Sequence, residues 1–249
     1  MTRETSNISS VEQLASANME LLRDNPYPGR GIVMGLSKDG QRAVQVYWIM
    51  GRSLNSRNRI LVQEGDVVKT RPFDESKVEN PSLIIYTAMR MVNGIHIVSN
   101  GDQTDTISQA IADGHTFQEG LEDRTYEPDD PNFTPRITGM YHPNNETPFS
   151  LSIIRKNPTS LEPIRTIYQQ RSLNGIGRCV HTYKGDGNPL PSFDSEPYPI
   201  PLEGTIDDIA QKYWNVLNSE NKVALVVKEI NTVSGETNYR IVNKLGNKS

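Results

Sequence analysis

Residues 80–106 read NPSLIIYTAMRMVNGIHIVSNGDQTDT, and this stretch decides the fold class. Two apolar runs flank Asn93-Gly94, the dipeptide best able to supply two successive positive φ values, so Asn80 to Val98 reads as two strands joined by a tight hairpin turn. On the first of these, Tyr86 and Arg90 fall on one face and Leu83, Ile85, Met89 and Met91 on the other, which is the expected core face. Behind the second strand, Ser99 to Thr106 crowds hydrogen-bonding side chains into one strand end, the place where a rigid frame presents functional groups. The same residues can start a helix, with Thr104 or Asp105 capping a short segment through Ile107 and Ile111; a cap and a site together fit best.

The same grammar recurs along the chain. Gly31 to Leu36 and Arg42 to Met50 flank an Asp39-Gly40 turn, Thr134 to Tyr141 and Phe149 to Arg155 surround PNNETP, and Val223 to Glu229 and Asn238 to Val242 surround Ser234-Gly235. Helical spacing appears twice. Ser10 to Asn25 opens on a Ser10/Gln13 capping box, with Val11, Leu14, Ala15 and Leu22 on one face, and Ile206, Ile209, Ala210, Tyr213 and Leu217 follow a Thr205 cap. Glu127 to Pro135 and Gly185 to Pro201 resist both periods. The second contains Pro189, Pro191, Pro197, Pro199 and Pro201, each lacking a backbone donor, so neither strand nor helix is expected there. Loops this long in a compact domain are functional or mobile. The pattern is therefore mostly antiparallel strands with a few helices in one domain.

The 249 residues suffice for a substantial core, and 35% hydrophobic with 22% charged residues marks a globular chain. No apolar run reaches membrane-spanning length, no signal-peptide core opens the chain and Cys179 is the lone cysteine, so a cytoplasmic location without disulfides is expected. A formal charge of -4 gives no net attraction for nucleic acid.

Three constellations can carry chemistry. Arg52, Arg57 and Arg59 are interleaved with Ser53, Asn55, Ser56 and Asn58, a composition suited to a phosphate and equally to a solvated basic turn. Tyr86 is either a packed phenol or a site residue, depending on whether it faces the cavity of Ser99 to Thr106. Glu127 and Arg136 bracket a proline-containing loop, and a carboxylate so held can act as acid or base. His96, His115, His142 and His181 form no metal pattern, Cys179 reads as a buried strand residue, and GIGR at Gly175 lacks the dinucleotide fingerprint.

Taken in order, YPGRGIVMG at Tyr27, GRSLNSR at Gly51, NPSLIIYTAMR at Asn80, VSNGDQTDTI at Val98 and YEPDD followed by TPRI at Thr134 resemble the archaeal-type IMP cyclohydrolase family. The resemblance implies an α+β fold, a four-layered αββα sandwich similar to N-terminal nucleophile hydrolases. It implies a helical extension over 1–26 and a single cyclohydrolase-like domain over 27–249. The implied activity is closure of 5-formamidoimidazole-4-carboxamide ribonucleotide to IMP with loss of water, in purine biosynthesis, without metal or organic cofactor. The implied partners are that nucleotide and IMP, with no nucleic acid and no membrane, and a homo-oligomer left open. By the same resemblance Tyr86 and Glu127 serve proton transfer or oxyanion stabilisation. Arg52, Ser53 and Arg57 contact the phosphate or ring, Asn100, Thr104 and Asp105 position the nucleotide, and Arg136 binds substrate or orients Glu127.

The chain departs from the family pattern in its N-terminal segment, in the apolar VYWIM before its Arg-Ser pair and in its proline-rich later half. Two other functions stay in view: a purine-nucleotide-binding or regulatory module without turnover, and an amide hydrolase, which would need a processed N-terminal nucleophile.

Overall fold

The Asn93-Gly94 hairpin is present in the computed structural model, which describes residues 2–78, 81–171 and 173–246. Asn93 and Gly94 take φ values of 50° and 75°, the mirror-image turn that matches strand twist. In chain order the elements are α1 (Thr2–Asp24), β1 (Gly31–Leu36), β2 (Arg42–Met50), α2 (Leu54–Arg57), β3 (Arg59–Glu64), β4 (Val67–Pro72), α3 (Pro81–Ile84), β5 (Thr87–Val92), β6 (Ile95–Ser99) and α4 (Gln103–Ala112). They continue with β7 (Arg136–Tyr141), β8 (Phe149–Arg155), β9 (Ile164–Gln170), β10 (Ile176–His181), β11 (Tyr198–Pro201), α5 (Ile206–Val216), β12 (Lys222–Asn231) and β13 (Thr237–Asn243).

Two sheets result, β11-β10-β1-β2-β12-β13 and β3-β4-β5-β6-β7-β8-β9, and every strand pair in both is antiparallel. The protein is thus α+β. The alternation read from the sequence sends Ile32, Met34, Tyr47, Ile49 and Val226 inward to meet Leu61, Val68, Met89, Val98 and Ile137 of the other sheet. The opposite face of the first sheet, with Val33, Val46, Trp48 and Val227, is covered by Met19 and Leu22 of α1 and by Ile209, Ala210 and Tyr213 of α5. On the second sheet, Ile97, Met140 and Ile154 pack under Ile107 and Ile111 of α4. Burial at ~25 cal/mol per Å² of apolar surface makes these three clusters the main source of stability.

Several expectations need correction. The first strand of the hairpin starts at Thr87, because Pro81–Ile84 forms a helical turn; Asn80 lies outside the described residues, as does the side chain of Leu83. Register shifts between Val68/Met89 and Lys69/Thr87, so strict alternation fails there. Tyr86 and Met89 both enter the inter-sheet core, whereas Ile85 and Met91 are exposed. Helix α1 begins well before Ser10, and its buried stripe is Ala15, Met19 and Leu22, with Leu14 exposed. Tyr198–Pro201 is a strand despite its prolines, since β11 is a sheet edge where a missing donor costs no ladder bond on the open side. The β3–β4 hairpin has no counterpart among the sequence expectations, because half of its residues are polar and partly solvated.

Candidate active site

One end of the sandwich gathers the start of β1, the ends of β2 and β10, the start of β3, and the loops before β5 and β7. Between them lies a cavity of ≈ 290 Å³, near the small end of ligand pockets. Its wall takes Tyr27, Gly29 and Arg30 from YPGR, Arg52, Ser53 and Arg59 from the arginine-rich turn, and Glu127, Asp129 and Thr134 from the loop before β7. The proline-rich loop supplies a further side through Leu190, whose N–H donates to Asn132 Oδ1 at 3.0 Å.

Arg30 and Glu127 form the centre. The guanidinium donates to both carboxylate oxygens, at 3.0 and 2.9 Å, in a bidentate pair with both residues buried. Arg30 also donates to Asn100 O at 3.1 Å, which ties the pair to the end of β6. Burial pushes Glu127 above the ordinary carboxylate range, against the opposing pull of Arg30. Beside it, Arg136 donates to Asp102 Oδ1 at 2.7 Å and to Gln103 Oε1 at 2.8 Å. A Cβ on Gly101 would stand 2.5 Å from Arg136 Nη1 and 3.6 Å from Glu127 Oε1, so a side chain at this glycine of SNGD would have to displace the end of Arg136 beside Glu127.

The three arginines of GRSLNSRNR divide by role. Arg59 is buried, and its Nε and Nη2 donate to the carbonyls of Ser56 and Met50 at 2.8 and 3.2 Å. Among the described residues it has no carboxylate partner within ion-pair distance, so its charge faces the cavity uncompensated. Arg52 packs its guanidinium 5.1 Å from the centre of the Tyr27 ring and pairs with Asp186 and the Gly187 carbonyl of the proline-rich loop. Arg57 is a brace, donating to Gly51 O at 2.9 Å and Asn221 Oδ1 at 3.0 Å, and is not among the lining residues. Ser53 lines the wall while capping α2 in a reciprocal box with Ser56.

Other expected residues are placed differently from their assigned roles. Asn100 is fully buried: its amide donates to Pro135 O at 2.9 Å and its oxygen accepts from Gln103 Nε2 and Ile137 N, so it organises the loop before β7. Thr104 is likewise consumed by Ser99 and Gly101 at the start of α4. The helix expected there exists, with Asp102 at its N-cap making no side-chain cap bond because it serves Arg124 and Arg136. Asp105 is exposed and pairs with Arg90 at 3.1 Å, away from the cavity wall. Tyr86 is buried in the inter-sheet core, its hydroxyl 2.6 Å from that of Tyr47. It does not line the cavity in this conformation but lies within electrostatic reach of Arg30.

Sequence reasoning passed over Tyr27, Arg30, Thr134 and Tyr183 as site residues. Asp129 receives the N–H and hydroxyl of Thr134, whose oxygen also meets the Tyr183 hydroxyl, and Tyr183 stacks on Tyr27 with ring centres 5.8 Å apart. The available signal was YPGR itself, an arginine at a strand start among turn residues.

Fold and site together define an α+β protein of two antiparallel sheets with an arginine-lined, carboxylate-bearing cavity at one end. The family described as IMP cyclohydrolase-like protein matches residues 27–234, and the chain belongs to that family. Proteins named IMP cyclohydrolase from Methanopyrus kandleri and Methanothrix thermoacetophila are 35% and 38% identical over 116 and 119 residues, 45% and 46% of this chain. One from Methanosphaera stadtmanae is 33% identical over 125 residues, 48% of this chain. The chain spans 57%, 57% and 60% of the length of these relatives, in the same order.

Proposed function

We propose that the chain closes 5-formamidoimidazole-4-carboxamide ribonucleotide to IMP, releasing water, as an IMP cyclohydrolase of purine biosynthesis in the cytoplasm. The observation that carries this reading is a single cavity holding both an uncompensated buried guanidinium, Arg59, and the desolvated Arg30–Glu127 pair. A buried cation without a counter-ion is costly, and an anionic ligand relieves that cost. The substrate phosphate is such a group, and Arg52 can exchange its exposed Asp186 for it.

The reaction joins the carboxamide nitrogen to the formyl carbon. One proton leaves that nitrogen for the formyl oxygen, which then departs as water with the proton of the formamide nitrogen. Glu127, held in the Arg30 fork, is the group that moves these protons, and Tyr86, one layer behind the cavity wall and within electrostatic reach of Arg30, is the donor we assign to the oxygen on which charge develops. Holding both substituents in contact supplies much of the rate. Asn100 and Arg136 act by fixing the loop that carries Glu127, and Thr104 by fixing the start of α4 beside it. We read the helices outside each sheet as the outer layers of a four-layered αββα sandwich of the N-terminal nucleophile hydrolase kind, with α1 as an extension on one domain.

The test is conversion of the formamido ribonucleotide by purified protein without added metal. Turnover that falls about 10²–10⁴-fold in Glu127→Gln supports the reading. Binding of IMP by a wild type that never turns over would replace it with a nucleotide-binding module.

A further inference from the structure

Tyr47 lies on β2, an interior strand of the first sheet, and crosses the inter-sheet core to place its hydroxyl 2.6 Å from the hydroxyl of Tyr86, which immediately precedes β5 of the second. Tyr47 is fully buried, and the Tyr86 oxygen is the acceptor within its reach. Either hydroxyl can donate across this contact, and the direction in which Tyr47 donates is the one that leaves the Tyr86 proton free to be given elsewhere. The charged groups acting on Tyr47 are Arg30, from the segment leading into β1, and Arg59, from the start of β3; Glu127 and Tyr183 in turn act on Arg30. Burial outweighs the two arginines and holds Tyr47 well above the ordinary phenol range, which keeps it a donor at neutral pH.

We propose that Tyr47 is a positioning residue for the ring closure: its hydroxyl donates to the Tyr86 oxygen, orients that phenol and leaves the Tyr86 proton for the reacting oxygen. The inference rests on the cyclohydrolase reading above and adds to it a residue outside the cavity wall. When Tyr86 gives up its proton, the O–H of Tyr47 stabilises the resulting phenolate with a charge-assisted hydrogen bond. No covalent step involves Tyr47 itself.

Tyr47→Phe removes one oxygen and keeps the ring that fills the core. It is expected to lower kcat about 10-fold with KM changed less than about two-fold, and to move the alkaline limb of the kcat profile up by about one pH unit. A purely structural role would lower the folded fraction and leave that limb in place. Tyrosine Cζ labelling gives a second reading: the Tyr86 resonance, assigned through its loss in Tyr86→Phe, should shift in Tyr47→Phe, because its hydroxyl loses the partner at 2.6 Å. An active wild type whose kcat, alkaline limb and Tyr86 resonance are all unmoved by Tyr47→Phe overturns the proposal alone. A wild type without turnover overturns the cyclohydrolase reading and the positioning role with it. Should Tyr47→Phe not fold, the Tyr47 resonance in Tyr86→Phe decides, since loss of its acceptor must shift it; an unmoved signal means that the hydroxyls do not communicate.

Discussion

At the scale of residues, the Arg30–Glu127 pair is both the chemistry and a point of vulnerability. Each group is buried, and removing one leaves the other desolvated and alone. Arg30→Ala should therefore lower unfolding free energy by about 3–5 kcal/mol, measurable by urea denaturation, well beyond what a surface arginine such as Arg171 costs. Arg59→Met is expected to behave in the opposite way. It removes an uncompensated buried charge, so stability should hold or rise while affinity for IMP falls at least about tenfold by titration calorimetry. Arg59 was visible in the sequence as one of three similar arginines, but nothing in GRSLNSRNR separates a brace, a rim residue and an unpaired cation. That distinction depends on which carbonyls and carboxylates the fold brings alongside, and those come from Met50, Ser56, Asp186 and Asn221.

At the scale of elements, short-range rules worked where a turn or cap governs. The Asn93-Gly94 and Asp39-Gly40 hairpins and the Thr205 cap of α5 are all present, the last as a reciprocal box with Asp208. Gly94 has φ near 75°, and a Cβ there would meet no atom within 4 Å, so Gly94→Ala should cost about 1 kcal/mol from backbone strain alone, read from the shift in a urea unfolding midpoint. Face assignment worked less well. Met19→Ala is expected to destabilise by about 2–5 kcal/mol, whereas Leu14→Ala, on a helix position half in solvent, should stay within about 0.5 kcal/mol. Spacing put Leu14 on the expected core face and did not single out Met19; contact with β11 and α5 buries Met19 instead. The irregular pairing at Lys69 likewise inverted the expected face of Tyr86, because one shifted residue reverses every side chain beyond it.

At the scale of the molecule, the packed sheets impose a pH dependence that local sequence does not hint at. Burial lowers His181 to about 4 and His96 to about 3, from an ordinary 6.5. The unfolded chain then binds more protons than the folded one as pH falls from 6.5 towards 4, so stability should drop across that window. Thermal unfolding scans should show it, with a shallower fall in His96→Gln. Composition, turn dipeptides and apolar periodicity were enough to determine a mostly antiparallel α+β chain, and the ordered motifs were enough to place it in its family. These features act over a few residues, and their physical causes, φ preferences and side-chain period, are carried by the residues themselves. Which arginine is unpaired, which phenol meets Tyr86 and which carboxylate is desolvated were decided only by the tertiary structure. Each depends on groups distant in sequence meeting at one end of two sheets, where burial removes water and makes the choice of partner energetically decisive.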